Sequence, residues 1–304
     1  MSKQIAVLMG GRSEERDVSL RSGEAVAEAL RSLGYRVLAI DIGQDIRVML
    51  NEIRSDTDVV FNALHGRYGE DGCVQGFCEL LGLPYTHSGV LASALAMNKV
   101  VAKQLFANAG IPVPDGGVFV RKQILDHEPM ERPYVIKPLD EGSSLGVHIV
   151  REGEDSPLAN RGWDYGESIL IEDYIPGREL TVAIMNERSL EALEIRPTEG
   201  FYDYRSKYTK GCAEYLVPAP IPNAIRDDVL RFSLLAHKTL GCRGVTRADF
   251  RYDDSTEGLG LRLLEINTQP GLTPTSLVPE IAAHAGIDFR MLVNWIIENA
   301  RCNI

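Results

Sequence analysis

The chain contains 304 residues, of which 44% are hydrophobic and 25% are charged, and its formal net charge is −11. At roughly 150 residues per domain, this length accommodates about two domains. The balanced composition excludes disordered, collagen-like and coiled-coil proteins. The excess of acid argues against nucleic acid or an anionic membrane as a partner, so an anionic small molecule would need a local convergence of Lys and Arg.

The N-terminal segment and the cysteines predict a cytoplasmic protein with reduced thiols. The apolar run at residues 5–9 is too short for a signal peptide. No stretch reaches the roughly 18 apolar residues of a membrane span. The five cysteines are odd in number and form no CxxC or Cys/His cluster, so neither a disulfide framework nor a zinc site is expected.

Strands and helices alternate in residues 1–97, which we predict to form a parallel α/β domain. Apolar and helical patterns predict strands at 5–9, 36–40 and 59–64, with helices at 24–30 and 45–53. This βαβαβ order implies a parallel sheet covered by helices, with ligands at the carboxyl ends of its strands. The segments at those ends, 10–15 and 65–72, are polar and rich in glycine.

The rest of the chain predicts two α+β units, a small central lobe at residues 98–178 and a larger C-terminal lobe at 179–304. A helix at 99–109 ends at Gly110 and Pro112. Further strands are predicted at 134–138, 147–150, 168–172, 180–185, 190–195, 244–252 and 261–267, with a long helix at 224–240 and two closing helices. The predicted fold class is therefore mixed α/β and α+β, in three modules.

Two strands of the larger lobe carry oxygen ligands. Because residues i and i+2 of a strand share a face, Glu265 and Asn267 are expected to project together. The same alternation would bury Leu264 in the core. Asp249 lies on another strand, and it shares a face with Arg247. Hard oxygen donors without His or Cys favour Mg²⁺ over zinc; an ordinary salt-bridged strand pair is the alternative.

A lysine-bearing strand and the loop after it suggest a phosphate site. Lys137 interrupts an apolar strand, where its charge needs an anionic partner. The EGSSLG loop at 141–146 offers backbone N–H groups and the hydroxyls of Ser143 and Ser144, which suit phosphate oxygens. It is not a P-loop, since GxxxxGK[ST] is absent. Lys99 is a second candidate phosphate ligand, with a solvated helix lysine as the alternative.

Two further segments suit a nucleotide site. Glu172 and Glu179 flank a Pro-Gly turn, where their carboxylates suit a ribose or an adenine pocket, although acids at strand ends are common on protein surfaces. Residues 201–208, FYDYRSKY, combine aromatic and polar side chains between glycines. Such a segment is typical of a lid, with an ordinary surface loop as the alternative.

In this order, the segments resemble the D-alanine–D-alanine ligases of the ATP-grasp superfamily, from about residue 5 to residue 295. LEINTQPG (264–271) is similar to segments of many ATP-grasp enzymes, whereas GGRSEERDVS (10–19), HGRYGEDG (65–72) and FYDYRSKY are specific to the ligases. The resemblance implies an ATP-grasp fold behind an N-terminal parallel α/β domain. It also implies a homodimer that joins two D-alanines, with ATP and through an acyl phosphate, for peptidoglycan synthesis.

The resemblance also implies roles for individual residues. Glu15, with His65 nearby, would bind the ammonium group of the first D-alanine. Glu15, Ser143 and Tyr208 would form a hydrogen-bonded set that ties the lid to the site. The residues that would contact ATP are Lys99, Lys137, Ser144, Glu172, Glu179 and Lys207. Two Mg²⁺ or Mn²⁺ ions would be bound by Asp249, Glu265 and Asn267, and the oxyanion would be stabilised by Arg247 and the Gly271 N–H. The second D-alanine would be bound by Ser276 and Leu277.

Two classes of alternative stay open. The first is another ATP-grasp carboxylate–amine ligase, including ligases that use D-lactate or D-serine as the second substrate; Glu15, His65 and Tyr208 favour D-alanine. The second is a nucleotide sensor or a dinucleotide-dependent oxidoreductase. Gly10 and Gly11 lack the third glycine of a GxGxxG turn, and a sensor would need neither metal ligands nor a lid.

Overall fold

The computed structural model describes residues 2–43, 45, 47–53, 55–124, 127–139, 142, 145–154, 157–159, 163, 165–198, 211–255 and 258–302. The strands of these residues form one parallel sheet of three strands and two antiparallel sheets of four and five strands. The predicted combination of a parallel α/β unit with α+β units is therefore confirmed. The division of the chain after residues 97 and 178 stays a prediction.

The first sheet has the strand order β2-β1-β3, and its central strand pairs in parallel with both neighbours. This unit comprises β1 (Gln4–Met9), α1 (Arg16–Ser32), β2 (Arg36–Asp41), α2 (Arg47–Glu52), β3 (Val59–Asn62), α3 (Cys73–Leu80) and α4 (Val90–Met97). The helix α1 begins well before the predicted residue 24. Its early turns contain Ser19, Ser22 and Gly23, which are weak helix formers but are buried here.

The second sheet has the order β4-β7-β5-β6 and follows the helix α5. Its elements are α5 (Lys99–Asn108), β4 (Gly116–Val120), β5 (Tyr134–Pro138), β6 (His148–Val150) and β7 (Ser168–Asp173), with 3₁₀ turns at Arg121–Gln123 and Pro157–Ala159. A small core that includes Tyr134, Ile136, Trp163 and Ile171 covers one face. The strand β4 was not predicted, because two glycines open it and weaken its strand pattern.

The third sheet has the order β10-β9-β8-β11-β12. Its elements are β8 (Arg178–Met185), β9 (Arg188–Pro197), β10 (Ala213–Leu216), α6 (Asn223–Thr239), β11 (Val245–Asp253), β12 (Gly260–Asn267), α7 (Leu277–His284) and α8 (Phe289–Glu298). On one face, α6 and α5 enclose a core containing Phe106 and Phe250. On the other, α7 and α8 share a core with the first sheet, in which Ile281 and Ile296 join Ile5.

A β-bulge alters the face pattern of β12 beside the candidate metal ligands. Asp249 is paired with Glu265, but Phe250 is paired with Leu263, so Leu264 is an extra residue. Leu263 is buried in the core, whereas Leu264 and Glu265 both line a cavity. The expectation that Leu264 is a core residue is therefore wrong, because the extra residue interrupts the simple alternation.

The helices α4 and α5 meet at a bend of 100° at Asn98. No single described helix has the length and apolar composition of a membrane span, although α4 and α5 taken together meet that criterion. The side chain of Asn98 caps α5 by accepting a hydrogen bond from the Val101 N–H. This cap sets the first turn of α5, where Lys99 lies.

Candidate active site

A cleft of about 820 Å³ lies between the strand ends of the first sheet and the third sheet. Its lining includes Glu15, His65, Lys99, Glu179, Arg247, Asp249, Glu265, Asn267, Gly271, Ser276 and Leu277. An adjoining cavity of about 90 Å³ adds Lys137 and Glu172. Every candidate residue that the structure describes therefore lies in one of two neighbouring cavities. Ser143, Ser144, Lys207 and Tyr208 lie outside the described residues.

The register of β11 and β12 places the acidic residues opposite each other. Asp249 faces Glu265, and Arg247 faces Asn267. The Arg247 guanidinium makes two hydrogen bonds to the Asp249 carboxylate, with Nε–Oδ1 at 2.8 Å and Nη2–Oδ2 at 2.7 Å. Such bidentate pairs are among the stronger hydrogen bonds in proteins. We call Arg247, Asp249 and Glu265 the acidic cluster, since its carboxylates outnumber its cations.

Thr181 is part of this arrangement, although the sequence analysis did not identify it. Its hydroxyl donates a hydrogen bond of 2.7 Å to Asp249 Oδ1. The residue is buried on β8, directly across from Asp249 in the sheet register. With Arg247 on one side and Thr181 on the other, the orientation of the Asp249 carboxylate is fixed by its neighbours.

Two lysines and a buried glutamate form a second cluster beside the acidic one. The ammonium groups of Lys103 and Lys137 both contact the Glu172 carboxylate, which is only 1% exposed. Burial lowers the pKa of Lys137 to about 8, although Glu265 opposes the shift. Burial and the charge of Lys137 lower the pKa of Lys103 well below its usual value. In this lysine cluster two cations share one carboxylate, so an entering anion would stabilise their charged forms.

The lysine cluster contains two features that the sequence did not predict. Lys137 has an anionic partner inside the protein, in Glu172. Lys103 was missed altogether. Its signal was present, because Lys99 and Lys103 stand four residues apart on α5 and share a helix face. Lys99 links the two clusters, with its Nζ 4.0 Å from Glu265 Oε2.

Glu179 is the second residue of β8 and lines both cavities. Its Oε2 lies 3.6 Å from Arg251 Nη1, so the carboxylate is paired with a cation. The neighbouring lining residues Tyr174, Ile175 and Leu264 give this part of the cavity an apolar wall. A carboxylate beside an apolar wall suits a nucleoside, because the base can pack against the wall and the ribose hydroxyls can donate hydrogen bonds to the carboxylate.

The Glu15 carboxylate occupies a space that two glycines leave open. It follows the glycine-rich segment after β1 and is 8% exposed. A Cβ added at Gly66 would lie 2.9 Å from Glu15 Oε2, and a Cβ added at Gly142 would lie equally close to that atom. Glu15 thus lies where the first sheet meets the loop after β5.

His65 lies next to Glu15 at the end of the first sheet and is buried. Its Nδ1 is 2.9 Å from Glu70 Oε1, while its Nε2 has no hydrogen-bond partner among the described residues. Burial alone would lower the pKa of His65, but Glu70 and Glu15 outweigh it and raise the pKa. Glu70 was not predicted as a site residue. Two glutamates at this end of the cleft suit an ammonium group.

The turn before α7 forms another part of the cleft wall. Ser276 Oγ accepts a hydrogen bond of 3.0 Å from the Thr273 N–H and lies 2.7 Å from Thr273 Oγ1. A Cβ added at Gly271 would lie 3.3 Å from Ser276 Oγ. Leu277 is the first residue of α7, so free N–H groups of the helix N-terminus lie here. Such N–H groups suit a carboxylate.

Comparison with known proteins identifies relatives over the full length of the chain. A family model described as D-ala D-ala ligase C-terminus matches residues 105–298, and one described as D-ala D-ala ligase N-terminus matches residues 4–56 and 46–88. A curated D-alanine--D-alanine ligase from Paramagnetospirillum magneticum is 56% identical over 306 residues, with 100% of each chain covered.

Solved structures give the same result. A D-alanine--D-alanine ligase from Bacillus anthracis, complexed with ATP, has a TM-score of 0.80 and 32% identity, with 98% of this chain and 96% of that chain covered. The VanG D-Ala:D-Ser ligase from Enterococcus faecalis has a TM-score of 0.81 and 28% identity, with 98% and 99% covered. The fold expected from the sequence is therefore confirmed.

Proposed function

The chain belongs to the D-alanine–D-alanine ligase family, and from this premise we propose that it joins two D-alanines into D-alanyl-D-alanine, driven by ATP, for peptidoglycan synthesis. The observation that carries the proposal is the set of charges that line the two neighbouring cavities. Glu15, the histidine–glutamate pair, the acidic cluster and the N-terminus of α7 line the cleft, and the lysine cluster lines the adjoining cavity. This set suits an ammonium group, a metal nucleotide and a second carboxylate.

The chemistry follows from the weakness of a carboxylate as an electrophile. An oxygen of the first D-alanine carboxylate attacks the γ-phosphorus of ATP, ADP leaves, and an acyl phosphate forms. The neutral amine of the second D-alanine attacks the acyl carbon, phosphate leaves, and the amine proton passes to solvent. The first step brings two anions together and the second builds negative charge on the acyl oxygen, so cations must offset both. Arg247 and the backbone N–H of Gly271 would stabilise the oxyanion that develops on the acyl group.

Asp249, Glu265 and Asn267 would hold Mg²⁺ or Mn²⁺. Two facing carboxylates and an amide oxygen form a hard donor set of the kind Mg²⁺ prefers. No group of three or more His, Cys, Asp or Glu in the described part of the chain forms a complete metal site. Phosphate oxygens of ATP and water would therefore complete the coordination. The ions would supply positive charge that neutralises the phosphates.

The remaining contacts follow the two cavities. Lys99 and Lys137 would bind the ATP phosphates, and Glu172 and Glu179 would border the adenine and ribose. The second D-alanine would lie against Ser276 and Leu277. Four further predicted residues lie outside the described ranges, namely Ser143 and Tyr208, which with Glu15 would tie the lid to the site, and Ser144 and Lys207, which would contact the phosphates.

D-alanine is favoured over D-serine or D-lactate as the second substrate by the relatives. The curated relatives at 51–56% identity carry the name D-alanine--D-alanine ligase, whereas the D-Ala:D-Ser ligase structure is 28% identical. A cytoplasmic location stays a prediction from the N-terminal segment and the cysteines, and a homodimer stays a prediction from the family resemblance. Light scattering tests the second, with an expected mass twice that of one 33.6 kDa chain.

A coupled phosphate-release assay with purified protein, ATP and Mg²⁺ tests the proposed function. We expect release with D-alanine and none with L-alanine, and D-alanyl-D-alanine should accumulate in step with phosphate. Parallel reactions that add D-serine or D-lactate measure the choice of second substrate. Glu265→Gln, purified identically, should release phosphate at least about 100-fold more slowly and so controls for contaminating ATPases. Failure of the wild-type protein to release phosphate with D-alanine would overturn the proposal.

A further inference from the structure

A buried amide joins the first sheet to the end of β12. Gln269 lies two residues beyond β12 and is 1% exposed, and Asn62, the last residue of β3, is equally buried. Asn62 Nδ2 donates a hydrogen bond of 2.7 Å to Gln269 Oε1, across 207 positions of sequence. Gln269 Nε2 donates in turn to the carbonyl oxygen of Leu64. Neither amide lines the cleft, so neither touches a substrate directly.

The hydrogen bonds allow only one orientation of the Gln269 amide. Reversing it would place Nε2 against Asn62 Nδ2, two donors facing each other, and Oε1 against the Leu64 carbonyl, two acceptors facing each other. The Asn62 amide is also fully engaged, because Nδ2 donates to the Gly69 carbonyl at 2.9 Å and Oδ1 accepts from the Leu64 N–H at 3.1 Å. A buried network of this kind, with its partners satisfied, is rigid.

The network connects two loops that carry groups of the proposed site. We call residues 64–70 the histidine loop, since it carries His65 and Glu70. Asn62 holds this loop near both ends, through Leu64 and Gly69. We call residues 267–271 the metal-strand loop, since it begins with Asn267 and ends with Gly271.

Gln269 acts within the metal-strand loop as well. Its backbone N–H donates a hydrogen bond of 2.9 Å to Asn267 Oδ1, which orients that amide. The same residue therefore orients a proposed metal ligand through its main chain and holds the histidine loop through its side chain. These are the two parts of the cleft whose separation decides whether the first substrate carboxylate meets the γ-phosphate.

We propose that Gln269 is a positioning residue, which sets the distance between the first D-alanine and the metal-bound phosphates by locking the histidine loop to the metal-strand loop. This inference rests on the proposed function. A misplacement of about 1 Å between reacting groups costs on the order of 100-fold in rate. A residue outside the cleft can therefore control turnover through geometry alone.

Gln269→Met tests the proposal, because methionine keeps the length of the side chain and removes both side-chain hydrogen bonds. We expect kcat to fall and the KM for D-alanine to rise, each by about 10-fold, a part of what a full misplacement costs. The KM for ATP should stay within about twofold, since the nucleotide lies against the second and third sheets. Unchanged kcat and KM values in a folded Gln269→Met protein would overturn the proposal.

Gln75→Met is the matched control. Gln75 is also 1% exposed, and its Nε2 donates a hydrogen bond of 2.8 Å to Gly69 in the histidine loop, but it makes no link to the metal-strand loop. We expect Gln75→Met to lower the melting temperature while its kinetic constants stay within about twofold of wild type. Equal kinetic defects in the two methionine variants would contradict the proposal, because any buried amide beside the loop would then suffice.

Gln269→Leu provides a second variant of similar size. Leucine can neither accept a hydrogen bond from Asn62 nor donate one to the Leu64 carbonyl. Its kinetic defect should match that of Gln269→Met, and wild-type kinetics in a folded Gln269→Leu protein would overturn the proposal.

The imidazole signals of ¹³C-labelled histidine supply a readout that needs no activity. In Gln269→Met the signals of His65 should shift, while those of His148 and His284, which lie elsewhere, should not. Unmoved His65 signals would overturn the positioning role. Absence of D-alanine-dependent turnover in the wild-type protein would instead reject the proposed function, and the histidine spectra would still decide whether Gln269 positions the loop.

Discussion

The lysine cluster and the acidic cluster line the same cavity, yet they are built in opposite ways. In the lysine cluster, Lys103 and Lys137 share one carboxylate; Lys103 and Glu172 are buried, and the Lys137 side chain is 12% exposed. In the acidic cluster, Arg247 and two carboxylates lie on neighbouring strands and border the open cleft. Cations are in excess in the first, and carboxylates are in excess in the second.

This difference teaches how a chain with a net charge of −11 can bind a triphosphate. A nucleotide with bound metal ions carries anionic phosphates next to cations. The phosphates need a cluster with excess positive charge, and the metal ions need a cluster with excess carboxylates beside it. The net charge describes the protein surface as a whole and does not determine which charged side chains lie together in a cleft. Lys99, 4.0 Å from Glu265, marks the boundary between the two.

Glu265→Gln should give the largest effect, because it removes a proposed metal ligand from the acidic cluster. We expect kcat to fall at least about 100-fold, the scale on which loss of one transition-state charge contact acts. The melting temperature should change little, since Glu265 is only partly buried at a strand end. Phosphate release and thermal unfolding measure the two effects.

Glu214→Gln, an exposed acid on β10 of the same sheet, is the control for the change of charge and should remain active. A parallel loss of stability and activity in Glu265→Gln would instead favour a purely structural salt-bridged pair.

Glu172→Gln should have the opposite balance of effects, because we expect it to lower the stability of the protein more than its turnover. Removing the shared carboxylate leaves two buried ammonium groups without a partner, and breaking a buried pair in this manner costs about 3 kcal/mol in the free energy of unfolding. Urea denaturation measures the loss. ATP should recover part of it, because the phosphates would face the two lysines.

Glu191→Gln is the comparison for that variant. Glu191 is also buried, but its partner Arg226 is 39% exposed on its side chain, so solvent can satisfy the cation and the loss should be smaller. If the two glutamine variants lose equal stability, the two lysines depend on Glu172 no more than a partly exposed arginine depends on its glutamate.

Gly142→Ala should have a smaller effect, confined to the first substrate. The added methyl group would come within 2.9 Å of Glu15 Oε2 and displace that carboxylate. We expect the KM for D-alanine to rise about 10-fold and the KM for ATP to stay nearly constant. Gly76→Ala in α3, where the nearest atom would be 4.0 Å away, should behave as wild type. Equal kinetics in both alanine variants would show that Glu15 has room to move.

The pH dependence of unfolding should give the smallest effect, and it is independent of both clusters. Burial lowers the pKa of His87 and of His237 to about 4. Since both bind protons more readily when unfolded, stability is complete above pH 6.5 and falls as the pH drops towards 4. Between pH 7 and 5.5 the loss should be about 1 kcal/mol for each.

His87→Asn should flatten that dependence, since asparagine does not titrate and tolerates the positive φ of 68° at this position. Urea denaturation at several pH values measures the slope. An unchanged slope in His87→Asn would assign the acid sensitivity to other groups.

Local patterns were sufficient to predict the first unit largely because two of its three strands, β1 and β3, are buried on both faces. Alternate residues of β1 point into different cores, Val7 into the one shared with α7 and α8 and Leu8 into the other. Such strands read as continuous apolar runs. The helix α4 could not be recognised in this way, because VLASALAM has no polar face to mark its period.

The sequence allowed us to predict which residues belong to the candidate site. It allowed us to predict far fewer of the contacts between them. Asp249, Glu265 and Asn267 could be grouped because strand alternation is a local property. The pairing of Lys137 with Glu172 depends on β5 lying next to β7, and that of Thr181 with Asp249 on β8 lying next to β11. Strand order and the bulge at Leu264 arise from packing of the whole chain, which a local pattern does not contain.

The core shared by the first sheet and the helices α7 and α8 has a consequence for synthesis on the ribosome. Ile5 and Phe61 emerge early, but Ile281 and Ile296, which cover them, are added more than 200 residues later. Until then, this face of the nascent parallel sheet is covered only in part, by α1, and exposed apolar surface of this kind promotes aggregation. Chaperone dependence during translation should therefore be concentrated in the first unit, while the second sheet, with a core drawn from residues 119–171, can complete its own packing much earlier.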